Sequence, residues 1–221
     1  GMTGPAIFAL GGQLDPENPY SYNVYSNLDS TNDVENSGLS VQADYAFGFA
    51  DLTSITAYRS SKLKTDQDSD FTSADLLSRN SNDTDIDTFT QEIRLTSNGD
   101  GAVDWMVGGF YFDESVDIEN QILYGQDIRG YIDFLSQGLL TGLEPLVFSV
   151  PQGFFFQPGE GMTEAYGQDN TAFSLFGTVD YHMTDRLTAT VGLNYTQDNK
   201  DAYGRVVSTD TFSAIDLDPL S

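Results

Sequence analysis

The feature that most limits how this chain can fold is a two-residue alternation, repeated in six segments that fall into three hairpin-like pairs. From Gly38 to Phe47, one parity holds Leu39, Val41, Ala43, Tyr45 and Phe47, and the other holds Ser40, Gln42 and Asp44. Successive side chains of a strand point to opposite faces, so this pattern specifies a two-sided strand. A turn at Gly48-Phe49-Ala50-Asp51 leads into LTSITAYRS (52–60), rich in the β-formers Thr, Ile and Tyr.

The second pair is the clearest. Phe89, Gln91, Ile93 and Leu95 alternate with Thr88, Thr90, Glu92, Arg94 and Thr96. Ser97-Asn98-Gly99-Asp100-Gly101 supplies residues that tolerate positive φ, as a tight turn demands. The return segment places Val103, Trp105, Val107, Gly109 and Tyr111 on one face. In the third pair Thr171, Phe173, Leu175, Gly177, Val179 and Tyr181 alternate with Ala172, Ser174, Thr178 and Asp180. A turn is expected at His182–Arg186. Beyond it Leu187, Ala189, Val191, Leu193 and Tyr195 alternate with Thr188, Thr190, Gly192, Asn194 and Thr196.

The spacing between segments carries more than the alternation does. Joins within pairs take about five residues, whereas the links between pairs run over 61–85 and 114–169. Each hairpin reverses direction, so all the short turns lie at one end and all the long links at the other. Loops longer than about 15 residues are uncommon in compact soluble domains. Short turns at one end and long loops at the other characterise outer-membrane barrels, where a tilted strand of about ten residues spans the apolar band. Tyr45, Tyr58, Trp105, Tyr111, Tyr181 and Tyr195 fall at or near the expected strand ends, where interfacial aromatic girdles belong. No run of about 18 apolar residues exists, which excludes a membrane-spanning helix but not a barrel.

Composition removes several function classes. Thirty-four acidic and nine basic residues give a formal net charge of −25, unsuited to holding nucleic-acid phosphates. The chain has no cysteine and a single histidine, His182, so thiolate chemistry and multi-histidine metal sites are out. His182 has no nucleophile elbow near it for Ser-His-Asp chemistry. Asp66, Asp68 and Asp70 form D-x-D-x-D, but Phe71 and Leu77 stand where an EF-hand needs Gly and Glu. Asp83, Asp85 and Asp87 share one face and are expected to face water, since like charges repel unless solvated. No catalytic residue, metal ligand or cofactor is assigned, and the ligand-binding residues are not readable.

Within the longest link, Ile128, Tyr131, Ile132, Leu135 and Leu139 recur at helical spacing and predict a short amphipathic helix. Phe154-Phe155-Phe156 is expected to bury itself within the loop. The first residues, GMTGPAIFALGG, lack the charged start and apolar core of a secretory leader, so the leader of an exported protein is expected upstream.

FTQEIRLTS (89–97) resembles a signature strand of TonB-dependent outer-membrane receptors, and WMVGGFYFDE (105–114) resembles the strand that follows it. LTSITAYRS (52–60) and VGLNYTQDNK (191–200) are similar to further barrel segments of that family, in the same order. Family members often carry Arg where Asn194 stands. The resemblance spans about residues 36–201 and implies a barrel of about 22 strands with a plugged lumen. Nothing in the chain resembles the family's plug or the segment that engages TonB.

The expected fold is therefore all-β, an antiparallel transmembrane barrel segment of six strands in three hairpins with its long loops on one side. Strands are expected near 38–47, 51–60, 87–97, 103–112, 171–181 and 187–196 of one partial barrel over 1–221, with no plug domain. Glu92 and Arg94 share a face opposite Ile93 and Leu95, and the cost of an arginine in lipid, about 2–4 kcal/mol at the midplane, turns them toward the lumen. The resemblance implies a bacterial outer-membrane importer of a scarce small ligand, such as a ferric chelate carried by a siderophore, a cobalamin-like molecule or an oligosaccharide. It further implies proton-motive energy relayed by the TonB complex, a setting among outer-membrane lipids, and no enzymatic activity. The alternative reading is a soluble or surface-attached antiparallel β protein that binds or adheres; a glycan hydrolase comes last.

Overall fold

Each alternating segment forms a strand, and each strand finds its sequence neighbour. In the computed structural model, which describes residues 3–14, 20, 22–99 and 101–215, the strands are β1 (Thr31–Ala46), β2 (Ala50–Asp66), β3 (Leu77–Ser97), β4 (Val103–Tyr124), β5 (Gly161–Thr184) and β6 (Leu187–Ser208). They form one antiparallel sheet in sequence order, and the sheet is open, with β1 and β6 at its edges.

The register joins the alternations into two continuous faces. On one, Ala43, Ser54, Ile93, Gly109, Leu175 and Tyr195 lie side by side across all six strands. On the other, the adjacent row is Asp44, Thr53, Arg94, Gly108, Phe176 and Asn194. The first face is apolar and uncovered: Leu193 is 81% exposed, Leu39 72% and Val191 66%. The second is mostly polar but holds Met106, Phe110, Phe112 and Phe176.

The strands are much longer than the alternation suggested. Their extensions take up most of the expected loop 61–85 and about a third of the expected loop 114–169, leaving connections over 67–76 and 125–160. The physical reason is a reversal of polarity along the central strands β2, β3 and β4. Past Tyr58, Phe89, Tyr111 and Phe173, the face that was apolar carries Lys62, Asp83, Asp85, Asp87, Asp113, Asp117 and Glu119. The opposite face there carries Val34, Leu63, Ile86, Val116, Ile118 and Tyr166. The two-residue period continues while its hydrophobic phase flips, so a search for one apolar face stops at the flip. Tyr58, Tyr111 and Tyr195 consequently mark mid-strand positions rather than strand ends.

Of the tight turns, the third is shorter than expected. Phe47 N–H donates to the Ala50 carbonyl at 2.8 Å across the first. The second covers residues 98–102, of which Asp100 lies outside the described residues. In the third only Asp185 and Arg186 separate the strands, so His182 belongs to β5 and not to a turn.

At the end opposite the tight turns, the connections fold into a cap. It comprises α1 (Thr3–Ala9), α2 (Ile128–Leu135), α3 (Leu139–Leu143) and a π-helical turn, Glu144–Phe148. Ile7, Ala74, Leu76 and Ile128 are its buried core, with Leu10, Leu14, Tyr124, Tyr131, Ile132 and Phe156 against them. Ile128, Tyr131 and Ile132 supply the predicted amphipathic face, while Leu139 falls in α3 and is exposed.

Candidate functional site

The apolar face defines a band with oblique edges. Its upper edge passes through Leu39, Tyr58 and Phe89 in one row, then steps two residues toward the turns to Tyr111 and Phe173, and two more to Tyr195. A drop of four residues over five interstrand spacings corresponds to a strand tilt of about 30°, near the tilt that barrel closure imposes. Along β4 the band runs from Val103 to Tyr111, about 27 Å of strand or about 23 Å of height at that tilt. The apolar zone of an outer-membrane barrel is about 25 Å tall. Gln91 is a polar residue inside the band, and its amide is satisfied locally: it accepts from Thr56 Oγ1 and donates to Ser54 Oγ at 3.1 Å. Such pairing is what a polar group facing hydrocarbon requires.

On the other face, Glu92 and Arg94 form an ion pair at 3.3 Å. β3 places both on this face because they are two residues apart. Their cross-strand neighbours are Ile55 and Phe110 beside Glu92, and Thr53 and Gly108 beside Arg94. The ring of Phe176 lies over Gly108, where a Cβ would come within 2.5 Å of it, so glycine is needed for this close approach. Nearer the turns, His182 bridges Thr188 Oγ1 at 2.9 Å and Asp104 Oδ2 at 2.7 Å.

Two loops are clasped in the cap. Asp75 N–H donates to Asp127 Oδ2, Asp127 N–H donates to the Asp75 carbonyl, and Asp75 Oδ2 accepts from Gln126 N–H. Gly125 permits this closeness, since a Cβ there would sit 2.2 Å from Asp75 oxygens. The longer loop folds around Arg129, the only Lys or Arg between residues 114 and 169. Its guanidinium reaches Glu144 at 2.5 and 3.0 Å, Asp133 at 3.0 Å and the Thr141 hydroxyl at 2.6 Å. Glu144 is fully buried and also accepts from Gly153 N–H and Phe155 N–H. Burial pushes its pKa up, but the Arg129 and backbone hydrogen bonds outweigh that and lower it from the ordinary 4.5 to about 2.

Around this pair Phe155 contacts Phe148, Phe154 and Phe212, while Phe156 contacts Tyr124 and Phe212. The Phe154–Phe156 cluster therefore lies mainly within the loop, with Phe154 partly outward. Phe71, Leu139 and Leu146 stand exposed on the cap. Of the residues singled out in the sequence, Glu92 and Arg94 come together. Asp66, Asp68 and Asp70 do not converge: Arg79 pairs with Asp66 at 3.5 Å, and Asp70 accepts from the N–H groups of Thr72, Leu76 and Leu77. The Arg129–Glu144 node was missed, and the isolation of Arg129 in a long acidic link was the available signal.

The family model described as TonB dependent receptor-like, beta-barrel matches residues 3–217. The chain belongs to this family. TonB-dependent receptors are outer-membrane proteins of Gram-negative bacteria that act as receptors and transporters rather than enzymes, in general with a small-molecule ligand and TonB as partner. Membership gives the apolar band its solvent, the outer-membrane hydrocarbon. No curated protein matches the sequence.

Proposed function

We propose that this chain supplies wall strands and extracellular loops to a receptor that imports a scarce small ligand, with proton-motive energy relayed through TonB. A ferric chelate, a cobalamin-like molecule or an oligosaccharide is the ligand class that the family resemblance favours. The observation that carries the reading is the uncovered apolar face bounded by an oblique aromatic edge. A soluble sheet would have to cover that face, because monomers rarely expose apolar patches beyond a few hundred Å². In this reading further wall strands pair with the open edges of β1 and β6, since an unpaired strand edge in hydrocarbon costs several kcal/mol per group. TonB engages a plug-bearing part of the same receptor.

Glu92 and Arg94 then face the lumen, bracing the wall or a plug rather than meeting ligand. Single cysteines at 92–95 in the receptor test this orientation, with no native cysteine in the chain to compete. Cysteines at 92 and 94 are expected to react with water-soluble thiol reagents, and those at 93 and 95 to be quenched by lipid-borne probes. The opposite pattern overturns the orientation. Transport itself is tested by ligand uptake in cells: loss of uptake on collapse of the proton gradient or removal of TonB is expected. Uptake unchanged by both treatments would remove the energy coupling.

A further inference from the structure

The D-x-D-x-D run of the β2–β3 loop has three different fates. Asp66 and Asp70 are held by the partners given above, while Asp68 is not. Asp68 is 7% exposed, yet one carboxylate oxygen accepts only the Asn27 N–H at 3.2 Å and the other, Oδ1, has no partner. The ion pairs among the described residues include Arg79 with Asp66, but none reaches Asp68. Asn27 adjoins it, and its own side-chain carbonyl is also buried without a partner, while its amide donates to Asp75 Oδ1 at 3.3 Å. The neighbouring Ser69 hydroxyl is a third such atom. Of the four buried side-chain polar atoms without a partner among the described residues, three thus belong to this one junction, where the segment entering β1 meets the β2–β3 loop.

A buried carboxylate with an unpaired oxygen is costly unless a cation or a full set of donors compensates it. Arginine and lysine do not reach Asp68, and the chain as a whole carries a formal charge of −25. Every orphaned atom here is an oxygen, and hard divalent cations take carboxylate, amide-carbonyl and hydroxyl oxygens, with water completing the shell.

We propose that Asp68, with Asn27 and Ser69, binds a calcium ion that staples the strand-entry segment around Asn27 to the β2–β3 loop on the cap. This is not a carboxylate-only cluster, and among the described residues no three His, Cys, Asp or Glu side chains form a metal-holding group. The donors at the Asp68 junction are of mixed kind. Calcium fits better than magnesium, because a loop junction offers irregular geometry rather than a rigid octahedron.

The test uses the purified receptor in detergent after chelator treatment, titrated calorimetrically with calcium chloride and separately with magnesium chloride. A saturable calcium site is expected, with a dissociation constant on the order of 10⁻⁴–10⁻³ M as in extracellular modules. Asp68→Asn and Asn27→Ala are each expected to weaken it at least tenfold. Asn27→Ala leaves every carboxylate in place. Asp83→Asn, on the solvated face of β3, is expected to leave it unchanged. Calcium should also slow proteolysis within 22–30 in the parent and not in Asp68→Asn. Absence of saturable calcium binding overturns the proposal. So does unaltered binding in Asp68→Asn, or equal loss in Asp83→Asn, which would mean diffuse attraction to an acidic surface.

Discussion

Strand β3 carries Ile93 and Leu95 on the same face as Asp83, Asp85 and Asp87, and the two sets meet different solvents. Toward the tight turns that face is apolar; toward the cap it is acidic, and the apolar residues cross to the other side as Leu63, Ile86, Val116 and Ile118. The lower parts of β2, β3 and β4 are inside out relative to a water-soluble sheet, and their upper parts are not. Two solvents along one strand account for this: hydrocarbon rewards apolar side chains outside the wall, water rewards them inside. Tyr58, Phe89, Tyr111 and Phe173 mark the change, and the two tyrosines are the amphipathic rings that a membrane–water boundary favours. Tyr58 spans it with its own chemistry, its ring beside the band and its hydroxyl donating to Asp87 at 2.6 Å.

The sharpest way to break this comparison is to put one charge on both sides of the line. Ile93→Arg, inside the band, is expected to cost about 2–4 kcal/mol of receptor stability in lipid. Asp85→Arg, on the same face above the line, is expected to cost less than about 1 kcal/mol, as exposed charges usually do. Equal costs, measured by folding titrations into vesicles, would remove the boundary.

A smaller effect distinguishes the cap from the wall. Glu144→Gln takes a charged acceptor from Arg129 and is expected to cost about 1.5–3 kcal/mol locally. Hydrogen exchange over 129–155 should accelerate while the strands below the aromatic line stay protected. The pH dependence follows from the same group. The carboxyl of Glu144 has its pKa lowered from 4.5 to about 2, so its stabilisation is fully present above about 4.5 and disappears as pH falls toward 2. Exchange in the cap of the parent should rise across that window, and the rise should be blunted in Glu144→Gln. A cap whose exchange is flat from pH 6 to 2 would contradict the role assigned to this carboxylate.

The smallest effect sharpens the contrast between the buried and the solvated ion pairs. Lys62 and Asp85 lie 3.3 Å apart with both side chains about half exposed. Lys62→Ala is expected to change stability by no more than about 1 kcal/mol, diminishing further with salt. A loss as large as that of Glu144→Gln would mean that the upper strands are not water-facing.

The sequence by itself determined the strands, their pairing order and the facing of the lower halves, because alternation and turn chemistry are local properties. Leu39 to Tyr45, Phe89 to Leu95 and Leu187 to Tyr195 each declare a face without reference to the rest of the chain. Strand length was not legible from one apolar face, since the extensions keep the period and invert its phase; Asp83, Asp85 and Asp87 were visible as a shared face, but not as part of a strand beginning at Leu77. Only the tertiary structure decided that the diagonal of aromatics crosses register rows, because tilt exists only between paired strands. It alone placed Phe176 over Gly108, brought Glu144 from 15 residues away onto Arg129, and left Asp68 against Asn27 across 41 residues of chain. Those contacts join residues whose spacing obeys no period, and a sequence pattern can report only what repeats.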